Sequence, residues 1–260
     1  MHPFRIPRAA AIAALSLLVA CSGGGGGSEA APVTPADPLL ATSTGIERIL
    51  RFSHPSCASH SGVDAVRMPR FDEAIGEHRD DWLFVASGAT GVYGALVDDG
   101  WKVRSEAWWP STGYGVVWSD VCATRIRDAA GGERAYVYFA SRGTNQIEIT
   151  DVTDFPNVVT VRWPIDIGLP VAVRGVHTMR IDAERGIMVL NAVDTFADTL
   201  PSPLTPHASP AVFYDLKADP LRPRLLSLFV GPDAGDQTLF DSHFLRLGDR
   251  HVWAASIQQP

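Results

Sequence analysis

The feature that most constrains this chain is an internal repeat. The stretches "DWLFVASGATGVYGALVDDGWKVRSEAWWP" (81–110) and "RAYVYFASRGTNQIEITDVTDFPNVVTVRWP" (134–164) carry the same parts in the same order. An aromatic-rich apolar strand ends in Ala-Ser and a Gly-containing turn follows. An alternating strand then leads through an Asp-containing turn to a strand ending in Trp-Pro. A third copy begins at "GIMVLNAVDTF", is interrupted by a Pro-rich insertion, and resumes at "PAVFYDLKADPLRPRLLSLFV". There Tyr214, Asp215 and Leu216 stand where Thr150, Asp151 and Val152 stood. A further strand precedes each later copy: "ATRIRD", "HTMRIDAERG" and "HFLRLGDR", with Arg125-Ile126, Arg180-Ile181 and Arg246-Leu247 in line.

Period-2 alternation bounded by Gly, Pro, Asn and Asp specifies strands joined by tight turns. Each unit therefore has four strands and buries its faces against its neighbours. The expectation is an all-β chain, a β-propeller of four-stranded blades; a β-sandwich is the alternative. Units are expected at 65–110, 117–164 and 176–231, with a partial one at 241–260, about three and a half blades. The last is completed either by strands from 43–62 or by further chain in a longer protein, the reading favoured here. Only "FDEAIGEHRDDW" (71–82) admits a helical turn. With Gly 23, Pro 19 and 20% charged residues, composition fits a turn-rich β protein.

Ahead of the repeats, "MHPFRIPRAAAIAALSLLVAC" has Arg5 and Arg8, a short apolar run, then Leu18-Val19-Ala20-Cys21. This is the layout of a secretory signal. Its end resembles a bacterial lipobox, which implies a signal peptide over residues 1–20 and lipidation of Cys21. An ordinary signal peptide is the alternative. Acyl chains contribute about 0.8 kcal/mol per buried methylene, so several would hold the protein on a lipid bilayer. Ser22 after the cysteine, rather than Asp, implies sorting to the outer membrane by the same resemblance. Residues 21–42, Gly-rich and then Pro-rich, read as a tether, and residues 43–260 as the repeat domain.

Three cysteines are present, and with Cys21 lipidated two remain. In an oxidising compartment Cys57 and Cys122 are expected to form a disulfide, with two free buried thiols as the alternative. Lys and Arg total 22 against 29 Asp and Glu, a formal net charge of −7, and both arginines of the signal count among the 22. That balance argues against nucleic-acid binding, which needs a basic patch.

The candidate chemistry lies at the start of the first strands. Asp120, His177 and His243 each stand there, and two imidazoles with one carboxylate converging would form a transition-metal site. Hydrogen bonding between blades is the competing role. Asp151, Asp154, Asp215 and Asp219 sit in turns too sparse in oxygen ligands for calcium, so turn capping is expected. There is no Gly-x-Ser-x-Gly and no phosphate-cradling glycine loop. "SHPSCASHSG" (53–62) sets Cys57 between histidines, where a disulfide is expected before a nucleophile. Trp108, Trp109, Trp118 and Trp163 offer stacking surfaces for glycans or peptides, or plugs between blades.

The copies "QIEITDVTDFPNV" and "AVFYDLKADPLRP" resemble the LVIVD repeat of bacterial surface propellers. With "VVWSDV" (116–121), "GVHTMRID" (175–182) and "DSHF" (241–244), the layout resembles the choice-of-anchor B family over roughly residues 80–260. In the last of these, Ser242-His243-Phe244 stands where the family carries His-Asp. The resemblance implies a surface anchor joined to a repeat propeller and implies no activity. The expected function is a membrane-anchored lipoprotein that displays the propeller to an extracellular protein or glycan, without catalysis. The alternative is a metal-dependent periplasmic enzyme.

Overall fold

The computed structural model describes residues 60–88, 91–110, 119–127, 131–169, 172–191, 193–195, 210–229 and 238–258. Among them the chain is all-β: strands joined by turns, with no helix and so none long and apolar enough to cross a membrane. The expected lipidation site Cys21, the expected signal over residues 1–20, the expected tether over 21–42, Cys57 and Trp118 lie outside the described residues.

The first sheet has β1 (His60–Asp72), β2 (Glu77–Gly88), β3 (Gly91–Val97) and β4 (Val103–Pro110), in that order. The second has β5 (Ser119–Arg127), β6 (Glu133–Ser141), β7 (Gln146–Asp151) and β8 (Val159–Pro164). In the third, β10 (Thr178–Asp182), β11 (Ile187–Asn191), β13 (Ala211–Asp215) and β14 (Arg224–Phe229) follow one another. Every pairing is antiparallel. A hairpin of β15 (Thr238–Leu247) and β16 (Arg250–Gln258) comes last. A short pairing of β9 (Val173–Gly175) with β12 (Asp194–Thr195), which the repeat did not signal, sits on the approach to the third sheet. The hairpin Gln146–Pro164 is the outer half of the second sheet.

The segment 71–82 is not helical. Phe71 and Asp72 end β1, a four-residue turn follows, and Gly76 takes φ 69 there. Phe71 ends β1 and Trp82 lies on β2, the two strands pairing from Asp72↔Glu77 onward, while Ala74 and Ile75 fall in the turn between them. That pairing overrides the local helical spacing.

Packing explains why "AYVYFA" reads as a continuous apolar run. Successive strand side chains point to opposite faces, and both faces of the second sheet are covered. Ala135, Val137 and Phe139 meet Val66, Leu83, Val85 and Val92 of the first sheet. Tyr136, Tyr138 and Ala140 meet Met179, Met188, Leu190, Val212 and Tyr214 of the third. The far face of the third sheet, through Val189, Ala211 and Phe213, meets Phe244, Trp253 and Ala255 of the hairpin. A sheet buried on both sides needs no polar alternation. Each large apolar side chain so buried contributes about 1.5–3 kcal/mol.

The tryptophans at the outer strands close the same gaps. Trp109 meets Phe155 edge-on at 5.9 Å across sheets one and two, and Trp163 meets Tyr214 at 4.9 Å across sheets two and three. Gly94 makes room for the first of these: a Cβ there would come within 2.5 Å of the Trp109 ring. Trp108 packs on the far face of the first sheet beside Phe84 and Tyr93. Along the other margin, β1 packs against β5, β5 against β10, and β10 against β15. First strand thus follows first strand through all four sheets.

Candidate functional site

The line of first strands gathers the candidate residues. Asp64 on β1 accepts from its neighbour Ala65 N at 2.8 Å and, across the interface, from Ala123 N of β5 at 2.8 Å. Asp120 on β5 repeats this one sheet further on: Oδ1 accepts from Val121 N at 3.0 Å, and Oδ2 from Met179 N of β10 at 2.8 Å. Asp241 on β15 accepts from Ser242 N at 2.7 Å. One carboxylate therefore sits near the start of the first strand of the first, second and last sheets. In the first two it ties its own strand to the next sheet's first strand.

Arg180 on β10 joins the second and third of these aspartates. Its Nη1 lies 3.0 Å from Asp120 Oδ2 and its Nη2 is 3.1 Å from the Asp241 carboxylate. Nη1 also donates to the carbonyl of Met179 at 2.6 Å. A planar guanidinium presents several donors in a fixed fork, which suits it to bridging two carboxylates. Three successive sheets meet at this one side chain.

The electrostatics follow from burial. Burial raises the pKa of Asp64, opposed by the N–H bonds from Ala123 and Ala65; the Asp120 charge adds to the rise. Burial likewise raises Asp120, opposed by the Met179 N–H, the Arg180 charge and the Val121 N–H. Burial works to lower Arg180, but the Asp120 and Asp241 charges together outweigh it and raise the guanidinium. The His177 imidazole is held below its usual value, first by burial and then by the Arg142 charge, against the pull of Asp241. Burial drives the Cys122 thiol well up, and its Sγ donates to Met179 O at 3.2 Å. A buried thiol held protonated is not a nucleophile.

The expected metal ligands are thus placed differently from one another. Asp120 faces the β5–β10 contact with both oxygens engaged, His177 is half-buried just ahead of β10, and His243 is exposed on β15. No group of three or more His, Cys, Asp or Glu able to hold a metal ion occurs among the described residues. Cys122 is a free, buried thiol in the core between sheets two and three, and its expected partner Cys57 is outside the described residues.

Compared with family models, with curated proteins and with solved structures, the chain finds no match.

The turn aspartates are caps. Asp98, Asp151 and Asp215 occupy one position, at the end of the third strand of each four-stranded sheet. Each accepts with Oδ1 from the backbone N–H two residues on, at 2.9, 3.0 and 2.9 Å. Each pairs through Oδ2 with an arginine: Arg104, Arg134 and Arg224. The Lys102, Arg104 and Gly100 groups hold the Asp98 carboxyl below the usual range; the Lys102 N–H leads, against the effect of burial. Asp219 caps Leu221 N at 3.0 Å, whereas Asp154 offers its backbone carbonyl to Asn157 N.

Sequence reasoning missed Asp64 and Arg180. The signal for Asp64 was present as "VDAV" (63–66) beside "SDVC" (119–122) and "FDSH" (240–243). Arg180 had been aligned with Arg125 and Arg246, yet those two pair outward, with Glu133 and Glu184. Nothing local marks Arg180 as different, because its two partners lie 60 and 61 residues away.

Proposed function

We propose that this chain is a lipid-anchored protein of the bacterial cell envelope, displaying a propeller-type β-domain as a binding platform. The observation that carries the reading is the serial contact of first strands, β1 to β5 to β10 to β15, with an apolar layer filling every interface between. Sheets arranged radially about an axis stack in series with their first strands side by side, whereas a sandwich has two layers only. The aspartates and arginine along that line are spent on joining sheets. This leaves the turns and hairpin ends as the surfaces open to a partner. The likeness to choice-of-anchor B proteins points the same way, and so does the Leu18–Cys21 stretch followed by a tether.

The test is made on the native membrane fraction. The mature protein should carry acyl groups on Cys21, seen as palmitate incorporation and as the corresponding intact mass. Cys21→Ser should move it to the soluble fraction. A Cys21→Ser protein that stays membrane-bound with unchanged mass overturns the anchor. A crystal structure in which the first strands do not surround a common axis overturns the propeller.

A further inference from the structure

A polar cavity lies between the second and third sheets, at the end where β5 turns into β6 and β10 into β11. Its volume is about 590 Å³, and Arg125, Arg127, Glu133, Glu184 and Lys217 line it together with Ile126 and Ala183. That volume matches a small ligand. The charges are unevenly committed. Glu133 is paired with Arg125 at 2.7 Å, and Glu184 with Arg246 at 3.4 Å. Arg127 and Lys217 carry no ion pair among the described residues. In a chain of net charge −7, a cavity whose acids are neutralised and whose two remaining charges are both cationic departs from the surface average.

Lys217 is held in place. The turn before β11 has Gly186 at φ 63, and a Cβ there would stand 2.6 Å from Lys217 Cγ. The lysine stem therefore lies across the glycine. Around it, Leu216 N donates to Gly186 O at 2.7 Å and Lys217 N to Asp215 Oδ1 at 2.9 Å. Both turns are thereby locked under the ammonium-bearing chain.

We propose that this cavity binds a phosphomonoester, with Arg127 and Lys217 as its two cationic contacts. A phosphate dianion has the charge for both cations and the oxygen geometry for a guanidinium fork. The Ala183 methyl and the aliphatic stem of Lys217 fit the carbon skeleton of a sugar or a glycerol moiety. The site stands independently of the anchor and of the closure of the propeller.

The full chain, purified in detergent, is titrated at low salt with inorganic phosphate and with glucose 1-phosphate, and mixed with vesicles of phosphatidylcholine with or without phosphatidic acid. Arg127→Ala and Lys217→Ala should each weaken binding about tenfold, the loss of one charge-assisted contact. Lys102→Ala, on a turn of the first sheet, should change it less than about twofold and so control for bulk charge. Saturable binding of glucose 1-phosphate identifies a soluble ligand; binding confined to phosphatidic acid vesicles identifies a lipid headgroup. Absence of binding to all three phosphate probes, or binding that both variants retain at full strength with unchanged thermal stability, overturns the site.

Discussion

The first two sheet-to-sheet interfaces are latched by an aspartate on the first strand, whereas the third is joined by other means. Asp64 reaches Ala123 N, and Asp120 reaches Met179 N, each spanning 59 residues of sequence. Set in register by Asp151 and Asp215, Asp120 opposite Ala140 corresponds to Thr178 opposite Asn191, so the third sheet has no carboxylate at the latch position. Gly175, on β9 just ahead of that sheet, leaves no room for a side chain either. A Cβ on Gly175 would stand 2.6 Å from Gly143 N and 2.7 Å from both Arg142 Cα and Ser141 O, and Arg142 forms a bridge with Gly175. The third interface instead uses Ser242 donating to Asn191 Oδ1 at 3.0 Å, Arg180 reaching Asp241, and His251 beside Asp182 at 3.3 Å. A repeat can keep the need for a latch while changing the residue that supplies it, because the need arises from buried strand ends and the means from local room.

The largest effect should come from breaking the second latch. Asp120→Ala removes a buried partner from Met179 N, Val121 N and Arg180, and should cost about 3 kcal/mol in urea unfolding. Loss under about 1 kcal/mol would mean the latch is ornamental and the apolar layer alone sets that interface. Gly175→Ala should follow at about 2 kcal/mol, since its neighbours are backbone atoms that do not swing aside. A neutral result would show that the Arg142 bridge yields. Asn191→Ala should cost about 1.5 kcal/mol, leaving the Ser242 hydroxyl buried without its acceptor. Equal losses for Asn191→Ala and Asp120→Ala would erase the distinction between charged and neutral latches.

Acidity should separate the two sides of the array. The folded pKa of His177 lies below its unfolded value of 6.5, so its contribution is present above pH 6.5 and is lost as pH falls through the depressed value. Asp64 and Asp120 behave oppositely. Their folded values lie above 3.8, so the proton-linked part of their contribution is full below pH 3.8 and is lost as pH rises through the raised values, while the bonds they accept from Ala123 N and Met179 N persist. In denaturation midpoints measured from pH 7.5 to 5, His177→Asn should flatten the acid-side decline, by less than the latch variants remove. An unchanged slope would assign that decline elsewhere. The smallest expected change is in metal content: dialysed full-length protein should carry transition metal far below one equivalent by elemental analysis, and His177→Ala should not alter it. One equivalent of zinc lost in His177→Ala would favour the Asp120, His177 and His243 site over the latch.

Much of the second sheet was open to inspection in the chain alone. Alternation in "QIEITD" and the turn set by Asp151 require only local geometry, so the β7–β8 hairpin follows from neighbours a few residues apart. The segment 71–82 misled for the converse reason: its spacing allows a helical turn, and only pairing along β1 and β2 decides otherwise. The site was half visible. Asp120 was singled out as a polar residue at a first-strand start, but its role depends on Met179 and Arg180, which approach it only when the third sheet packs on the second.

By itself, the sequence determined most strands of the four-stranded sheets and the turns capped by aspartate, because period-2 patterning and turn chemistry act over a few residues. Tertiary structure alone decided which face of "AYVYFA" meets which sheet, which of three aligned arginines turns inward to bridge two aspartates, and which groups join the third interface in the absence of a latch aspartate. Those outcomes rest on backbone approaches and charge pairs between residues about sixty positions apart. No local pattern records distances of that kind.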